Sequence, residues 1–293
     1  MTQSNGPGRA AAVVPLTGMD AAAADLVGRR LRGVGRLGVA YSGGVDSALL
    51  LALAVRELGA NSVVAILGVS PSLAADERRS AHEVAAFIGA QVVEVATHEG
   101  DRPAYRANGP DRCLHCKDEL FTRIGDEVVA EHRLNAVAYG ENADDTRRPD
   151  RPGALAATRH RVLRPLADAG LDKDAVRALA SALGLPCADK PAAPCLASRI
   201  PHFSTVTPHK LAQVEAAERA LNEMGFSDCR VRHHGDVARV ELPAAELDHA
   251  ASPAVRARLS AAVKAAGFRF VCLDLDGIQS GAFTLPLVRA EHG

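Results

Sequence analysis

Three groups of residues in this sequence have types and spacings suited to chemistry. The first is Ser42-Gly43-Gly44-Val45-Asp46-Ser47. It follows a short apolar run, Leu37 to Tyr41, and leads into a stretch from Ser47 to Leu58 that is apolar at helical spacing. Adjacent glycines let the backbone take conformations closed to other residues and come close to a ligand. The N–H groups of such a loop and of the first helical turn converge on one spot, where the helix dipole favours an anion. Ser42 and Ser47 add hydroxyl donors, and Asp46 can hold Mg²⁺ against a phosphate chain or cap the helix. The loop lacks the Gly-Lys-Ser/Thr of a Walker loop. A tight glycine turn with a Ser/Asp cap is the plainer reading, and it accounts less well for all six residues in a strand–loop–helix setting.

The second group is Cys113-Leu-His-Cys116 together with Cys195. Two thiolates at this spacing can bind one metal or cluster. Three readings stand side by side: a three-cysteine iron–sulfur cluster with one open iron, a structural zinc completed by Cys187 or His115, and a thiol pair without metal. Cys187, Cys229 and Cys272 lie in apolar surroundings and read as core residues. The third group is Arg230 and Arg232, which alternate on one predicted strand and so share a face. Guanidinium groups on one face can meet an anion in bidentate fashion. A solvated strand face is the alternative. Glu218 fits a helix surface equally well, and at least one of His233 and His234 reads as structural.

The elements that must position these groups alternate regularly. Strands are predicted at Leu37 to Tyr41, Ser62 to Val69, Gln91 to Ala96 and Asn135 to Tyr139. Helices are predicted at Ser47 to Leu58, Asp76 to Ile88 and Phe121 to His132. This alternation implies an α/β fold, a doubly wound parallel sheet covered on both faces, whose ligands sit at the carboxyl ends of the strands. A strand-like segment at Arg161 to Leu163 and a helix at Lys173 to Leu183 follow. The Pro- and Cys-rich stretch from 184 to 208 suggests a boundary. We therefore expect a leader over 1–24, a nucleotide domain over 25–193 and a smaller α/β domain over 194–293. The last would hold a helix at Pro208 to Met224, a hairpin turned at Gly235-Asp236, a helix at about 253–266 and a strand at Phe268 to Leu275.

The chain has 293 residues, 47% of them hydrophobic, enough for one large or two smaller cores. Its net charge of -1 and its 3% aromatic content with no Trp argue against a nucleic-acid binder, which needs basic patches and stacking platforms. No apolar run is long enough for a membrane span. The Ala- and Gly-rich start lacks the order of features of a signal peptide, so a cytoplasmic protein is expected. Cysteines in such a protein point to metal or catalysis before disulfides.

The loop at Ser42–Ser47 resembles the pyrophosphate loop of the PP-loop ATPases, the N-type ATP pyrophosphatases, which split ATP between the α and β phosphates and transfer AMP to an oxygen. Further stretches narrow the likeness: AYSGGVDSALLL (40–51), NGPDRCLHCK (108–117), YGENADD (139–145), RPG (151–153), PCLASRIP (194–201) and CRVRHHGDVARVELP (229–243). Together they resemble the ATP-dependent sacrificial sulfur transferases of the LarE family over roughly residues 25–280. The resemblance implies ATP and Mg²⁺ as cofactors, with Asp46 at the metal and Ser70 near the adenosine. It implies adenylation of a pyridinium-dicarboxylate mononucleotide, with Ser198, Arg199, Arg230 and Arg232 at the substrate's phosphate, followed by sulfur transfer toward a nickel-pincer nucleotide. It also implies a homo-oligomer. Some members give up the sulfur of their own Cys and end with dehydroalanine. Others carry three Cys holding a [4Fe–4S] cluster, as Cys113, Cys116 and Cys195 would here. Matched from Lys190 to Arg199, the sacrificial Cys falls at Pro194, so this chain resembles the cluster type. Cys195 remains open to both roles. The loop from Gly140 to Arg151 is one residue longer than the family's, which leaves Asp144 and Asp145 unassigned. A tRNA thiolase, an amide-forming ligase like the NAD and GMP synthetases, and a non-catalytic nucleotide sensor are the competing functions.

Overall fold

The computed structural model describes residues 14–147, 153–191, 193–279 and 283. The first part of the expected leader, and Arg151 and Pro152, lie outside the described residues. The chain forms two compact units. One holds the described residues through Ser70, Ala75–His98 and Cys113–Ala193; the other holds Pro71–Ala74, Glu99–Arg112 and the described residues from Pro194 onward. Two excursions of the N-terminal half thus fold with the C-terminal unit.

The first unit is built on four parallel strands, β1 (Leu37–Tyr41), β2 (Val63–Val69), β3 (Gln91–Ala96) and β4 (Ala136–Tyr139), in the order β3-β2-β1-β4. Strands buried on both faces read as continuous apolar runs, as LGVAY and VVAILGV do. Its main helices are α1 (Gly18–Leu31), α2 (Val45–Leu58), α3 (Ala75–Ile88), α4 (Arg112–Arg123) and α5 (Lys173–Ala182). Helix α2 is apolar all round and buried from Ser47 to Val55, as expected of a helix enclosed on every side. A second apolar cluster, with Phe121, Ile124 and Val128 packed on Ile66, Val95 and Tyr139, forms part of the core. From β1 the chain winds outward to β2 and β3, then returns to pair β4 with the free side of β1. That reversal opens a crevice at the carboxyl ends of β1 and β4, the usual ligand position in such sheets.

Three local readings change. Helix α1 begins at Gly18, so residues 18–24 are not leader: the Ala-rich run favours helix and buries Ala24, Val27 and Leu31. The helix expected from Phe121 begins at Arg112 and continues through a π-helical bulge at Ile124–Val128, so the Cys113–Cys116 pair lies on its first turn. Of Arg161 to Leu163, only Leu163 bridges in parallel to Ala138, and the left-handed backbone of Arg161 (φ 54°) ends any strand there.

The second unit carries β5 (Arg230–His234), β6 (Val237–Glu241) and β7 (Phe270–Leu273), with β5 and β6 antiparallel and β6 and β7 parallel. Gly235 takes the positive φ that a two-residue hairpin turn demands. Helix α6 (Pro208–Glu223) starts with Pro208 after Thr207, whose hydroxyl caps Lys210 N, and α7 (Pro253–Ala265) follows later in the chain. The core joins Leu221, Phe226, Val231, Val240, Leu259 and Val263. Among the described residues no helix is long and apolar enough to cross a membrane.

His233 is buried in this unit. Its Nε2 meets Gln213 Oε1 at 3.1 Å, its ring stands edge-on to Phe268, and its Nδ1 has no partner among the described residues. Burial, then the charge of Lys210, lowers its pKa from 6.5, and burial also lowers that of His234. The folded protein therefore holds these rings neutral where the unfolded chain takes up protons. Stability is complete above the unfolded pKa and is lost as pH falls below it. Urea midpoints should fall between about pH 7.5 and about pH 5.5, and His233→Gln should reduce that fall. An unchanged pH dependence in the variant would contradict this.

Candidate functional site

Gly43 has φ 76°, and a Cβ there would lie 2.9 Å from both Cα and Cβ of Ala81 on α3. It therefore meets two demands that only glycine satisfies: left-handed backbone and close approach. Val45 opens α2 and is buried. Ser47 Oγ donates to Gly44 O at 3.0 Å, accepts from Ser42 N at 3.2 Å and lies 3.2 Å from Ser42 Oγ. These bonds hold the loop in shape without spending the N–H groups of the first turn of α2. Ser70 directly follows β2, on the same carboxyl edge of the sheet.

The segment after β4 presses onto this loop. A Cβ on Gly140 would stand 2.7 Å from Asp46 C and Ser47 N. Asn142 Nδ2 donates to Asp46 Oδ1 at 2.9 Å, and Lys173 Nζ donates to Asp46 Oδ2 at 2.5 Å. Asp144 Oδ2 accepts from Lys173 N at 2.9 Å, and Asp145 N donates to Asn142 Oδ1 at 3.0 Å. Asp144 and Asp145 thus fix the segment and the start of α5. Neither Asn142 nor Lys173 was evident as a functional residue in the sequence. The signal for both is topological: the chain after β4 must face the chain after β1 across the crevice. Lys117, next to the cysteine pair, places its ammonium 4.5 Å from the Tyr139 ring centroid, in room left by Gly153, where a Cβ would lie 2.7 Å from Lys117 Cδ.

None of the six cysteines is in a disulfide. Cys113 is exposed and Cys116 half-buried, on the first turn of α4 in the first unit; Cys195 is exposed in the second, just before a helical turn at Leu196–Arg199. Cys187 and Cys229 are buried, and burial raises the pKa of each thiol. Cys272, expected in a core, is exposed. Among the described residues, no group of three or more His, Cys, Asp or Glu is arranged to hold a metal ion.

Within the second unit the arginines converge. Arg199 grips Glu218 through Nε and Nη2 at 2.9 and 3.0 Å, and Glu218 also accepts from Val231 N at 2.8 Å. Glu218 is therefore a buried partner and not a surface carboxylate. Arg232 grips the fully buried Glu241 at 2.9 and 2.7 Å and donates to Ser198 O at 3.1 Å. Arg230 and Arg232 both donate to Gln279 O, at 3.2 and 3.0 Å. Ser198 Oγ lies 3.1 Å from Arg199 Nη1. Burial, then the charges of Arg199 and Arg232, lower the pKa of Arg230.

A parallel sheet with its switch at β1/β4 and a Ser-Gly-Gly-Val-Asp-Ser loop there define a PP-loop ATP pyrophosphatase domain. A family model described as asparagine synthase matches residues 19–123, in keeping with this class. The chain is 40% identical over 251 residues, 86% of its length and 92% of the other's, to an uncharacterised protein of Synechocystis sp.. It is 34% identical over 261 residues, 89% of its length and 93% of the other's, to the pyridinium-3,5-bisthiocarboxylic acid mononucleotide synthase of Lactiplantibacillus plantarum. The chain belongs to the family of that synthase, the LarE family.

The packing makes a direct prediction. Gly43→Ala and Gly140→Ala should each destabilise the protein by about 1–3 kcal/mol, through left-handed strain or overpacking. Both should weaken ATP binding measured by calorimetry on the folded variants. Wild-type affinity in either would show that these close approaches do not shape the loop.

Proposed function

We propose that this chain uses ATP to adenylate a carboxylate of a pyridinium-dicarboxylate mononucleotide and then replaces AMP with sulfur, giving a thiocarboxylate. The observation that carries the reading is Asp46 fixed at the switch crevice by the Asn142 amide and the Lys173 ammonium, at the start of α2. Family membership and the product named for the relative from Lactiplantibacillus plantarum support the choice of acceptor.

Ser42, Gly43, Gly44, Val45 and Ser47 would bind the β and γ phosphates, and Ser70 would lie at the adenosine. Asp46 would hold Mg²⁺, which supplies charge neutralisation on the phosphates. Its carboxylate suits a hard cation but is engaged by Lys173, so Lys173 would turn from Asp46 to the phosphates when the metal binds. A carboxylate oxygen of the substrate attacks the α-phosphorus, and pyrophosphate leaves with its electron pair. A sulfur nucleophile then attacks the acyl carbon, and AMP leaves with the former carboxylate oxygen. Arg230, with Ser198 and the arginines braced by Glu218 and Glu241, would bind the substrate's own phosphate.

Cys113, Cys116 and Cys195 would hold a [4Fe–4S] cluster, whose open iron supplies a site for transferable sulfide. Their chemistry suits it: three accessible thiols outside any disulfide, unlike the buried Cys187 and Cys229. We extend the reading to a cytoplasmic homo-oligomer on the family resemblance.

The test is anaerobic incubation of the purified protein with ATP, Mg²⁺, the dicarboxylate mononucleotide and sulfide. AMP, pyrophosphate and thiocarboxylate should form together, and the protein should carry about four irons per chain. Cys195→Ala should keep AMP formation and lose thiocarboxylate. Lys173→Met should slow pyrophosphate release by about 100-fold, the scale of losing one transition-state donor. Iron-free protein that loses H₂S from Cys195 on turnover would assign Cys195 as the sulfur donor instead. Sulfur delivered to tRNA, or no AMP at all, would overturn the reading.

A further inference from the structure

The turn that bears Cys195 has almost no regular structure of its own. Residues 195–206 hold one short helical turn and otherwise irregular backbone. Irregular backbone that is buried must find partners for its N–H and C=O groups elsewhere. Here those partners come from the two excursions that fold with the second unit.

Asn108 is the centre of this arrangement. It is fully buried and takes the left-handed φ of 57° that Asn tolerates better than most residues. Its Nδ2 donates to three carbonyls of the turn: Ile200 at 3.2 Å, Pro201 at 2.7 Å and Ser204 at 3.0 Å. Its own carbonyl accepts from Phe203 N at 3.1 Å and stands 3.0 Å from His202 Nδ1. Its Oδ1 accepts from Arg112 Nη1 at 2.5 Å, and the same nitrogen donates to Ala197 O at 2.9 Å. On the other side, Leu196 N donates to Ser72 O at 2.9 Å. One amide side chain thus satisfies carbonyls on both sides of the loop's apex, and Arg112 links it to the residue two places after Cys195. Arg112 is also the residue peptide-bonded to Cys113.

We propose that Asn108 is a positioning residue for the sulfur-transfer step. It fixes the turn that presents Cys195, Ser198 and Arg199, directly and through Arg112. The inference rests on the function proposed above. It adds a residue that touches no reacting group and acts through the geometry of the cysteine turn.

Two variants separate position from fold. Asn108→Gly keeps the left-handed backbone, which glycine adopts freely, and removes the amide. Asn108→Asp keeps an acceptor for Arg112 and removes the N–H donors. In both, hydrogen–deuterium exchange at amides 196–206 should speed up by about tenfold or more, while amides of the β5–β6 hairpin stay as in wild type. At saturating mononucleotide, AMP formation should stay within about twofold of wild type, and thiocarboxylate formation should fall by about tenfold or more. Unchanged exchange at 196–206, or undiminished sulfur transfer, would overturn the proposal. So would a parallel loss of AMP formation, sulfur transfer and hairpin protection, which would mark Asn108 as a general stability residue. If the wild-type protein forms neither AMP nor thiocarboxylate, the proposed function fails, and the exchange measurement still decides whether Asn108 holds the turn.

Discussion

The carboxylate of Asp46 is shared between the Asn142 amide and the Lys173 ammonium, and the geometry of the loop crevice depends on that shared contact. It ties together the loop after β1, the segment after β4 and the start of α5, which lie up to 127 residues apart in sequence. The contact exists because the sheet reverses between β1 and β4, and because Gly140 lets the two segments meet backbone to backbone. Its energy matters as much as its geometry. Both side chains are partly exposed, so the ion pair contributes no more than about 1 kcal/mol. A pair this weak can be exchanged for a metal and a phosphate chain at little cost. The arrangement places a carboxylate for a cation and an ammonium for an anion side by side.

The second unit follows the opposite logic. Arg199–Glu218 and Arg232–Glu241 are buried, bidentate pairs, and removing one partner of such a pair costs about 3–5 kcal/mol. They are rigid scaffolding. Around Arg230, burial and then the charges of Arg199 and Arg232 outweigh those of Asp228 and Glu241. The pKa of Arg230 is lowered as a result. In the proposed function Glu218 and Glu241 would keep the guanidinium groups of Arg199 and Arg232 aimed at the mononucleotide phosphate.

Much of this was legible in the sequence because it rests on short-range rules. Short runs rich in Val, Ala and Leu gave β1 and β3 to the residue, and Ser-Gly-Gly-Val-Asp-Ser marked the phosphate loop. Arg230 and Arg232 share a strand as their spacing required. What was not legible depends on contacts between distant segments. Lys173 looked like an ordinary helix-start residue, and only the strand order brings it to Asp46. Glu218 fitted a helix surface as well as a site position, because helix periodicity does not reveal an arginine arriving from a loop. Asn108 lay in plain view in a matched stretch, yet its role needs the turn at 197–204 folded around it. The cysteine pair was placed correctly in sequence but not on its element, because Arg-Cys-Leu-His-Cys-Lys has too few apolar residues for helical periodicity to show.

The central claim is that the carboxylate itself is activated by transfer of AMP to its oxygen. The most direct test uses substrate labelled with ¹⁸O in its carboxylates, under anaerobic turnover with ATP, Mg²⁺ and sulfide, followed by mass spectrometry of the AMP. The account predicts one ¹⁸O in the phosphate of each AMP released with thiocarboxylate. Thiocarboxylate formed alongside unlabelled AMP, or with ADP in its place, would contradict it.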